Sequence, residues 1–189
     1  RFCKLFLTLL SSVFSSQPDA GVRDLIAHRF GGEQTYNTQC TGCNQPSLRN
    51  EQFYELEVAL KDGCSLEESL EEILKPEVLD GPNQYVIYHC GVCGSKQDAA
   101  RSLHLKRLPP VLNFQLMRFV YDMETYTKKK SDAAIRFPAV LDMRHFSVDD
   151  GDGTSDNGKD LVYELTAVLI HQGAYAHYGH YIAHVRRST

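Results

Sequence analysis

The sequence has no long apolar run and no excess of basic residues. Its longest apolar-rich stretch, residues 2–14, is shorter than the ~20 residues that a membrane-spanning helix needs. Lysine and arginine number 20 against 24 acidic residues, for a net charge of -4, and the main like-charge run is Lys128-Lys129-Lys130. We therefore expect a soluble segment without a nucleic-acid or membrane partner.

The cysteines do not form an evident disulfide framework. Of the six, four form two Cys-x-x-Cys pairs, Cys40 with Cys43 and Cys90 with Cys93. The remaining two have no partner in sequence, which favours a reducing compartment. At 189 residues and 42% hydrophobic content the chain suffices for one domain, or most of one.

The chain starts with Arg1 rather than methionine, so we expect it to begin inside a longer polypeptide. Apolar residues follow at helical spacing, as in a helix that faces a core. They are Phe2, Leu5, Phe6, Leu9, Leu10, Val13 and Phe14. A secretory signal, with Leu5–Leu10 as its apolar region and Ser15-Ser16 near a cleavage site, is the competing interpretation, but its apolar region is short.

Helical patterns occupy the start of the chain and strand patterns most of the rest. A second helix is predicted over Asp19–Arg29, and Ser65 with Glu68 forms a capping box for a helix that ends before Pro76. Strands are predicted at 34–38, 53–58, 85–89, 102–105, 111–119, 135–141, 161–170 and 180–185, with a loop at 172–179 and a polar, solvated segment at 147–160. This order predicts an α+β fold.

The two cysteine pairs predict a metal site. Each pair can lie on a tight turn that presents both sulfurs to one ion, and both turns carry glycine, at Gly42 and at Gly91 and Gly94. Disulfides or incidental buried thiols are the alternatives. In a reducing context we favour structural zinc bound by Cys40, Cys43, Cys90 and Cys93, which leaves the metal no open position for catalysis.

The strongest functional signal lies near the end of the chain. An apolar strand from Tyr163 ends in His171-Gln172-Gly173, and a short loop leads to Gly179-His180-Tyr181 and a second strand. This pattern closely resembles the histidine box of the ubiquitin-specific proteases. The resemblance makes His180 the catalytic general base and His171 a non-catalytic histidine, and places Gly179 and Tyr181 at the binding site for the ubiquitin tail.

Other segments carry the same resemblance. Leu112–Phe119 is similar to the family's strand ending in leucine-lysine-arginine-phenylalanine, with Met117 in place of the lysine. Ile135–Pro138, Leu141-Asp142 and Phe30–Gly32 also match, as does the double cysteine motif. Essentially the whole chain is covered.

The resemblance implies a papain-like cysteine protease fold. Residues 1–30 would form thumb helices, 31–106 zinc-ribbon fingers and 107–189 a β-rich palm, with the N-terminal part of the domain missing. It also implies hydrolysis of isopeptide bonds at the C-terminus of ubiquitin, with ubiquitin and ubiquitinated proteins as partners. The nucleus or cytoplasm is the expected location.

Two of the three expected catalytic groups have no match. The family's nucleophile follows asparagine-threonine; Asn37–Cys40 imitates that setting, but Gln39 is inserted and Cys40 suits zinc better. Neither Cys3 nor Cys64 is a good candidate, and the residue that orients the histidine is expected beyond Thr189. We therefore expect this chain alone to be inactive.

Alternatives to this interpretation come from other classes of protein. One is a catalytically inactive ubiquitin-binding module, and another is a zinc-ribbon interaction domain unrelated to ubiquitin. A metal site made by His177, His180 and His184 would need a helix, whereas the residues after His180 favour a strand.

Overall fold

The computed structural model describes residues 2–80, 88–123, 126–147, 161–175 and 178–187, and they form the expected α+β arrangement. The helices are α1 (Phe2–Phe14), α2 (Ala20–Arg23), α3 (Leu25–Phe30) and α4 (Leu66–Leu74). The strands are β1 (Gly32–Cys40), β2 (Pro46–Phe53), β3 (Leu56–Val58), β4 (Glu77–Leu79), β5 (Tyr88–Cys90), β6 (Ser95–Gln97), β7 (Ala99–Arg107), β8 (Phe114–Leu116), β9 (Phe119–Asp122), β10 (Thr127–Lys130), β11 (Val140–Asp142), β12 (Val162–Glu164), β13 (Ala167–Tyr175) and β14 (Tyr178–Val185). None of the helices in these ranges is both long and apolar enough to cross a membrane.

Helix α1 forms as predicted, but its core-facing side differs from the expectation. Leu5 is 69% exposed and Leu9 is also exposed, whereas Leu7, which was not among the predicted positions, is 7% exposed. The helix is apolar on most sides, so helical spacing alone fits more than one stripe. Its buried stripe runs through Leu7 to the half-buried Leu10 and Phe14.

The predicted helix over Asp19–Arg29 is two short helices. Asp19 caps α2, its Oδ1 accepting from the backbone N–H groups of Gly21 (2.7 Å) and Val22 (3.2 Å). Asp24 then leaves helical geometry with ψ near 2° and begins α3. Its backbone N–H still bonds Ala20 O, so the two helices stay joined by a tight turn.

The largest sheet has the strand order β2-β1-β7-β4, with all neighbours antiparallel. Strand β1 lies in the middle and ends at Cys40, beside Ala99 at the start of β7. Tyr36 of β1 lies between two guanidinium groups, of Arg49 (5.2 Å) and Arg101 (5.6 Å). This sheet carries the first cysteine pair at one end.

The segment Phe53–Val58 is not the single strand that its alternation predicts. Strand β2 ends at Phe53, the chain bends at Tyr54-Glu55, and β3 pairs in parallel with β8 in a different sheet. The bend is held by Asn113, whose side-chain amide donates to Tyr54 O and whose backbone carbonyl accepts from the N–H of Leu56. Because β3 pairs with β8, the side chains of Leu56 and Val58 enter the main core, which joins α4, β3 and β7. Its buried members are Phe53, Leu56, Val58, Leu66, Leu70, Leu105, Leu141 and Met143.

Three further predicted strands are interrupted. Met117 and Arg118 separate β8 from β9 within 111–119, and Leu165 and Thr166 separate β12 from β13 within 161–170. Most of 135–141 is not a strand, because Pro138 lacks the N–H that a ladder needs. The predicted loop at 172–179 is also wrong, since β13 continues to Tyr175. The polar segment from 148 to 160 and residues 85–87 lie outside the described ranges.

Helix α4 begins with the predicted capping box. The N–H of Glu68 donates to Ser65 Oγ (3.1 Å), and the N–H of Ser65 donates to Glu68 Oε2 (2.7 Å). That backbone bond, with the nearby charge of Arg136, lowers the pKa of Glu68. The cap thus satisfies two N–H groups that would otherwise lack partners at the start of the helix.

Replacing Ser65 by alanine should reduce the free energy of unfolding by about 0.5–2 kcal/mol, because one cap acceptor is lost. Urea denaturation of both proteins measures the difference. Ser47→Ala, at an exposed position of β2, is the matched control and should change stability by no more than about 0.5 kcal/mol. Equal losses in the two variants would contradict a specific capping role.

Candidate functional site

The four paired cysteines come together at one end of the largest sheet. Cys40 ends β1, and Cys90 ends β5, so each first cysteine leaves a strand into a turn. Strand β6 returns from the second turn and leads into β7, which lies against β1. Thr41 ties the first turn to the residue between β6 and β7, since its N–H and hydroxyl both donate to Asp98 O at 3.0 and 2.8 Å.

The two cysteine turns have the same backbone geometry. In the first, Asn44 has φ 56° and donates its N–H to Cys40 O at 2.9 Å. In the second, Gly94 has φ 64° and donates its N–H to Cys90 O, also at 2.9 Å. Asparagine and glycine are the residues that best tolerate this left-handed conformation. The essential positions therefore follow the second cysteine of each pair, a detail that the glycines alone did not predict.

The sulfur atoms have the spacing of a tetrahedral metal site. All four lie within 4.8 Å of one another, with Cys40 Sγ 3.9 Å from Cys93 Sγ and Cys43 Sγ 3.5 Å from Cys90 Sγ. Four sulfurs around zinc at about 2.3 Å would be separated by about 3.8 Å. Cys40 and Cys90 are buried, and Cys43 and Cys93 are half-buried. This cluster can hold a metal ion.

The electrostatics of the cluster also favour a cation. The backbone N–H of Cys93 donates to Cys90 Sγ at 3.4 Å and lowers the pKa of Cys90 to about 6. Hydrogen bonding to Cys43 and Cys90 raises the pKa of Cys93 to about 12. One sulfur therefore ionises readily while its neighbour resists a second negative charge, and a bound cation would stabilise both as thiolates.

His180 lies on an antiparallel hairpin made by β13 and β14. It pairs with Gln172, while its neighbour Tyr181 pairs with His171. The His180 side chain is exposed, and Tyr181 is exposed beside it. The predicted strand geometry around His180 is thus confirmed, whereas its catalytic role stays a prediction.

His171 is packed within the hairpin rather than displayed on it. Its ring lies 5.4 Å from the Phe119 ring, nearly edge-on, and 4.9 Å from the Tyr181 ring. A Cβ atom on Gly179 would lie 2.2 Å from His171 Nε2 and 2.4 Å from Gln172 O. Glycine is therefore required next to His180, because any side chain there would push β13 and β14 apart.

Lys130 is a residue at this site that the sequence did not reveal. Its ammonium group donates to His171 O at 2.9 Å and to Gly173 O at 2.7 Å. In the sequence it was one of three consecutive lysines, with no signal separating it from Lys128 and Lys129. The structure singles it out by its contacts across 41 and 43 residues of chain.

A helical histidine metal site is excluded by the strand. His180 and His184 are four residues apart in β14, which in a strand corresponds to about 13 Å, too far for one ion. His177 lies outside the described residues. Of the unpaired cysteines, Cys3 is exposed on α1, and Cys64 is half-buried before α4. Among the described residues no hydrogen bond joins His180 to a thiol.

Two known proteins to which this chain is similar are both ubiquitin carboxyl-terminal hydrolases. The chain is 45% identical over 186 residues to ubiquitin carboxyl-terminal hydrolase 48 of Danio rerio, covering 98% of this chain and 17% of that protein. It is 37% identical over 165 residues to ubiquitin carboxyl-terminal hydrolase 8 of Saccharomyces cerevisiae, covering 85% of this chain and 34% of that protein. The chain thus spans about a sixth of the length of the first of these relatives.

Two solved structures of a DUB module are also similar to this chain. The SAGA DUB module Ubp8/Sgf11/Sus1/Sgf73 bound to monoubiquitin matches with a TM-score of 0.72 and 32% identity, over 94% of this chain and 37% of the solved chain. The module bound to ubiquitin aldehyde matches with a TM-score of 0.68 and 34% identity, over 85% and 34%. The family model for ubiquitin carboxyl-terminal hydrolases matches residues 1–189. This chain belongs to the ubiquitin carboxyl-terminal hydrolase family.

Proposed function

We propose that this chain is part of a deubiquitinating cysteine protease in which His180 is the general base. The observation that carries the proposal is the geometry of the β13–β14 hairpin in a chain of this family. The imidazole of His180 is exposed on a strand, between a glycine that cannot be substituted and an exposed tyrosine.

The chemistry requires an imidazole in such a position. A cysteine nucleophile attacks the carbonyl carbon of the isopeptide bond as a thiolate, after its proton passes to His180. The protonated imidazole then donates that proton to the departing lysine amine. An exposed ring on β14 can receive both the nucleophile and the extended ubiquitin tail.

The four-cysteine cluster would hold structural zinc. Cys40, Cys43, Cys90 and Cys93 would complete a tetrahedral shell, so the metal would fix the two turns and take no part in the reaction. The sheet that ends in these turns would form the fingers, within residues 31–106. Residues 1–30 would belong to the thumb and 107–189 to the palm of a papain-like fold.

Ubiquitin and ubiquitinated proteins would be the partners. The SAGA DUB modules that this chain resembles were solved with ubiquitin aldehyde or monoubiquitin bound, which supports ubiquitin as the ligand here. Gly179 and Tyr181 would contact its C-terminal tail. Six cysteines that form no disulfide among themselves agree with the reducing environment of the nucleus or cytoplasm.

A second candidate is ubiquitin binding without cleavage by this chain on its own. It is favoured by one observation, that neither Cys3 nor Cys64 is hydrogen-bonded to His180. Both are also poor nucleophile positions, on an exposed helix side and in a turn before α4.

A ubiquitin probe with a thiol-reactive C-terminal group distinguishes these functions. The full-length protein should form a covalent adduct with the probe, because the proposed enzyme brings a cysteine to His180. The 189-residue chain should form none above background, and Cys3→Ser with Cys64→Ser should leave that result unchanged. Intact mass spectrometry measures the adduct. Labelling of Cys64 that disappears in His180→Ala would identify it as the nucleophile and contradict this assignment.

A further inference from the structure

We propose that Lys130 is a positioning residue for His180. Its ammonium group fixes the carbonyl edge of β13 at His171 and Gly173, on either side of the residue that pairs with His180. The inference rests on the proposed role of His180 as general base. Lys130 would touch neither substrate nor the reacting atoms, and would act only through the placement of the hairpin.

The two hydrogen bonds of Lys130 lie on either side of one paired position in β13. Lys130 Nζ donates to the carbonyls of His171 (2.9 Å) and Gly173 (2.7 Å). These residues are two apart, so their carbonyls lie on the same edge of β13. Gln172 lies between them and pairs with His180 across the hairpin. The Lys130 ammonium group therefore holds β13 by hydrogen bonds on both sides of Gln172, the residue that pairs with His180.

The β13–β14 hairpin depends on these hydrogen bonds because its own strand register is weakly fixed. In the described part of the chain β13 pairs only with β14, and a lone two-stranded hairpin is marginally stable. The register shifts between Gln172 and Tyr175, where Gly173 has φ 136°, a conformation that favours glycine. A slip by one residue would turn His180 to the opposite face.

Lys130 is itself fixed to the core. It pairs with Phe119 across the β9–β10 hairpin, and the Phe119 ring packs edge-on against His171, so both partners reach the same residue of β13. At the base of that hairpin, the Arg118 guanidinium donates to Ser131 O (3.3 Å) and Ala133 O (2.8 Å).

The contacts that position Lys130 continue from the β9–β10 hairpin into the parallel strand pair β3–β8. The N–H of Met117 donates to Val58 O at 2.9 Å, and Val58 is fully buried. Position 117 contributes here through its backbone, so methionine serves there in place of the lysine that the family resemblance predicts. The core thus determines where Lys130 lies, and Lys130 determines where β13 lies.

The chemistry of the side chain suits this task. An ammonium group has three donors on one atom, and hydrogen bonds from a charged donor are stronger than neutral ones. The neighbouring lysines have other environments. Lys129 is 73% exposed and lies 3.8 Å from Asp122, on the opposite face of the hairpin, and Lys128 is exposed opposite Tyr121. They provide matched controls of equal charge and similar location.

The test compares Lys130→Met with Lys128→Met in the full-length protein. Methionine keeps an unbranched chain but removes all three donors. Using a ubiquitin-fluorophore amide, we expect Lys130→Met to lower kcat by about 10- to 100-fold and to change KM by no more than about twofold, because a base is misplaced while the binding surface is kept. Lys128→Met should keep kcat and KM within about twofold of the unsubstituted protein. Lys130→Arg, which retains donors, should recover part of the lost kcat.

Hydrogen–deuterium exchange supplies a readout independent of activity. Amides of 167–175 and 178–185 should exchange faster in Lys130→Met, while those of β1, β7 and α4 keep their rates. Unchanged exchange and unchanged kcat in Lys130→Met would overturn the inference, as would a general loss of protection that Lys130→Arg does not reverse.

The two proposals fail in different ways. If His180→Ala lowers kcat but Lys130→Met does not, the positioning role alone is wrong. If His180→Ala keeps full turnover, the proposed general base is wrong, and faster exchange of the hairpin in Lys130→Met would then show a structural tie without a catalytic purpose.

Discussion

Replacing Cys90 by serine should abolish zinc binding and unfold the cysteine end of the largest sheet. The purified chain should contain about one zinc ion per molecule, and the variant much less than one, because serine is a poor ligand in a site built for four thiolates. Elemental analysis of dialysed protein measures the content. Binding energy of this kind is folding energy, about 10–16 kcal/mol for isolated zinc-finger peptides.

The unfolding should be local. Strands β5 and β6 pair over only three residues each, whereas β1 and β7 pair along most of their length and join the core at Leu105. Exchange protection should therefore disappear first around both turns. Cys64→Ser is the matched control and should keep both zinc and protection, since Cys64 lies before α4 and outside the cluster. A folded, soluble chain without zinc would contradict the assignment.

Features that depend on neighbouring residues could be predicted from the sequence. The capping box joins Ser65 to Glu68 within one helical turn. The cysteine turns are equally local, since each closes within five residues. Only a sheet is then needed to bring two turns of the same type together. The strand patterns before Cys40 predicted one of its strands, β1.

Features that depend on distant partners could not be predicted. The break between Phe53 and Leu56 exists because β2 and β3 join different sheets, and nothing in their alternation says so. The exposed side of α1 likewise depends on what the rest of the fold covers. Lys130 is the clearest case: its partners are 41 and 43 residues away, and its neighbours in sequence carry the same charge.

In the full-length protein, His180→Ala should abolish most turnover while leaving ubiquitin binding within a few-fold. A general base moves a proton and does not hold the substrate, so with His180 in that role kcat should fall by at least ~10²-fold, the lower end of what a positioned acid–base group contributes. The loss should be larger if the thiolate also depends on an ion pair with the histidine. Turnover of a ubiquitin-fluorophore amide and equilibrium binding of ubiquitin, measured on the same preparations, separate these effects.

The hairpin offers two histidine controls of different kinds. His184 is exposed on β14 opposite Val168, so His184→Ala should change kcat only slightly. His171 is packed against Phe119 and Tyr181 and its carbonyl accepts from Lys130, so His171→Ala should lower hairpin protection and reduce kcat less than His180→Ala does. If His171→Ala abolished turnover in folded protein while His180→Ala retained it, the register assigned to the histidine box would be wrong, and the base would be the half-buried ring of His171.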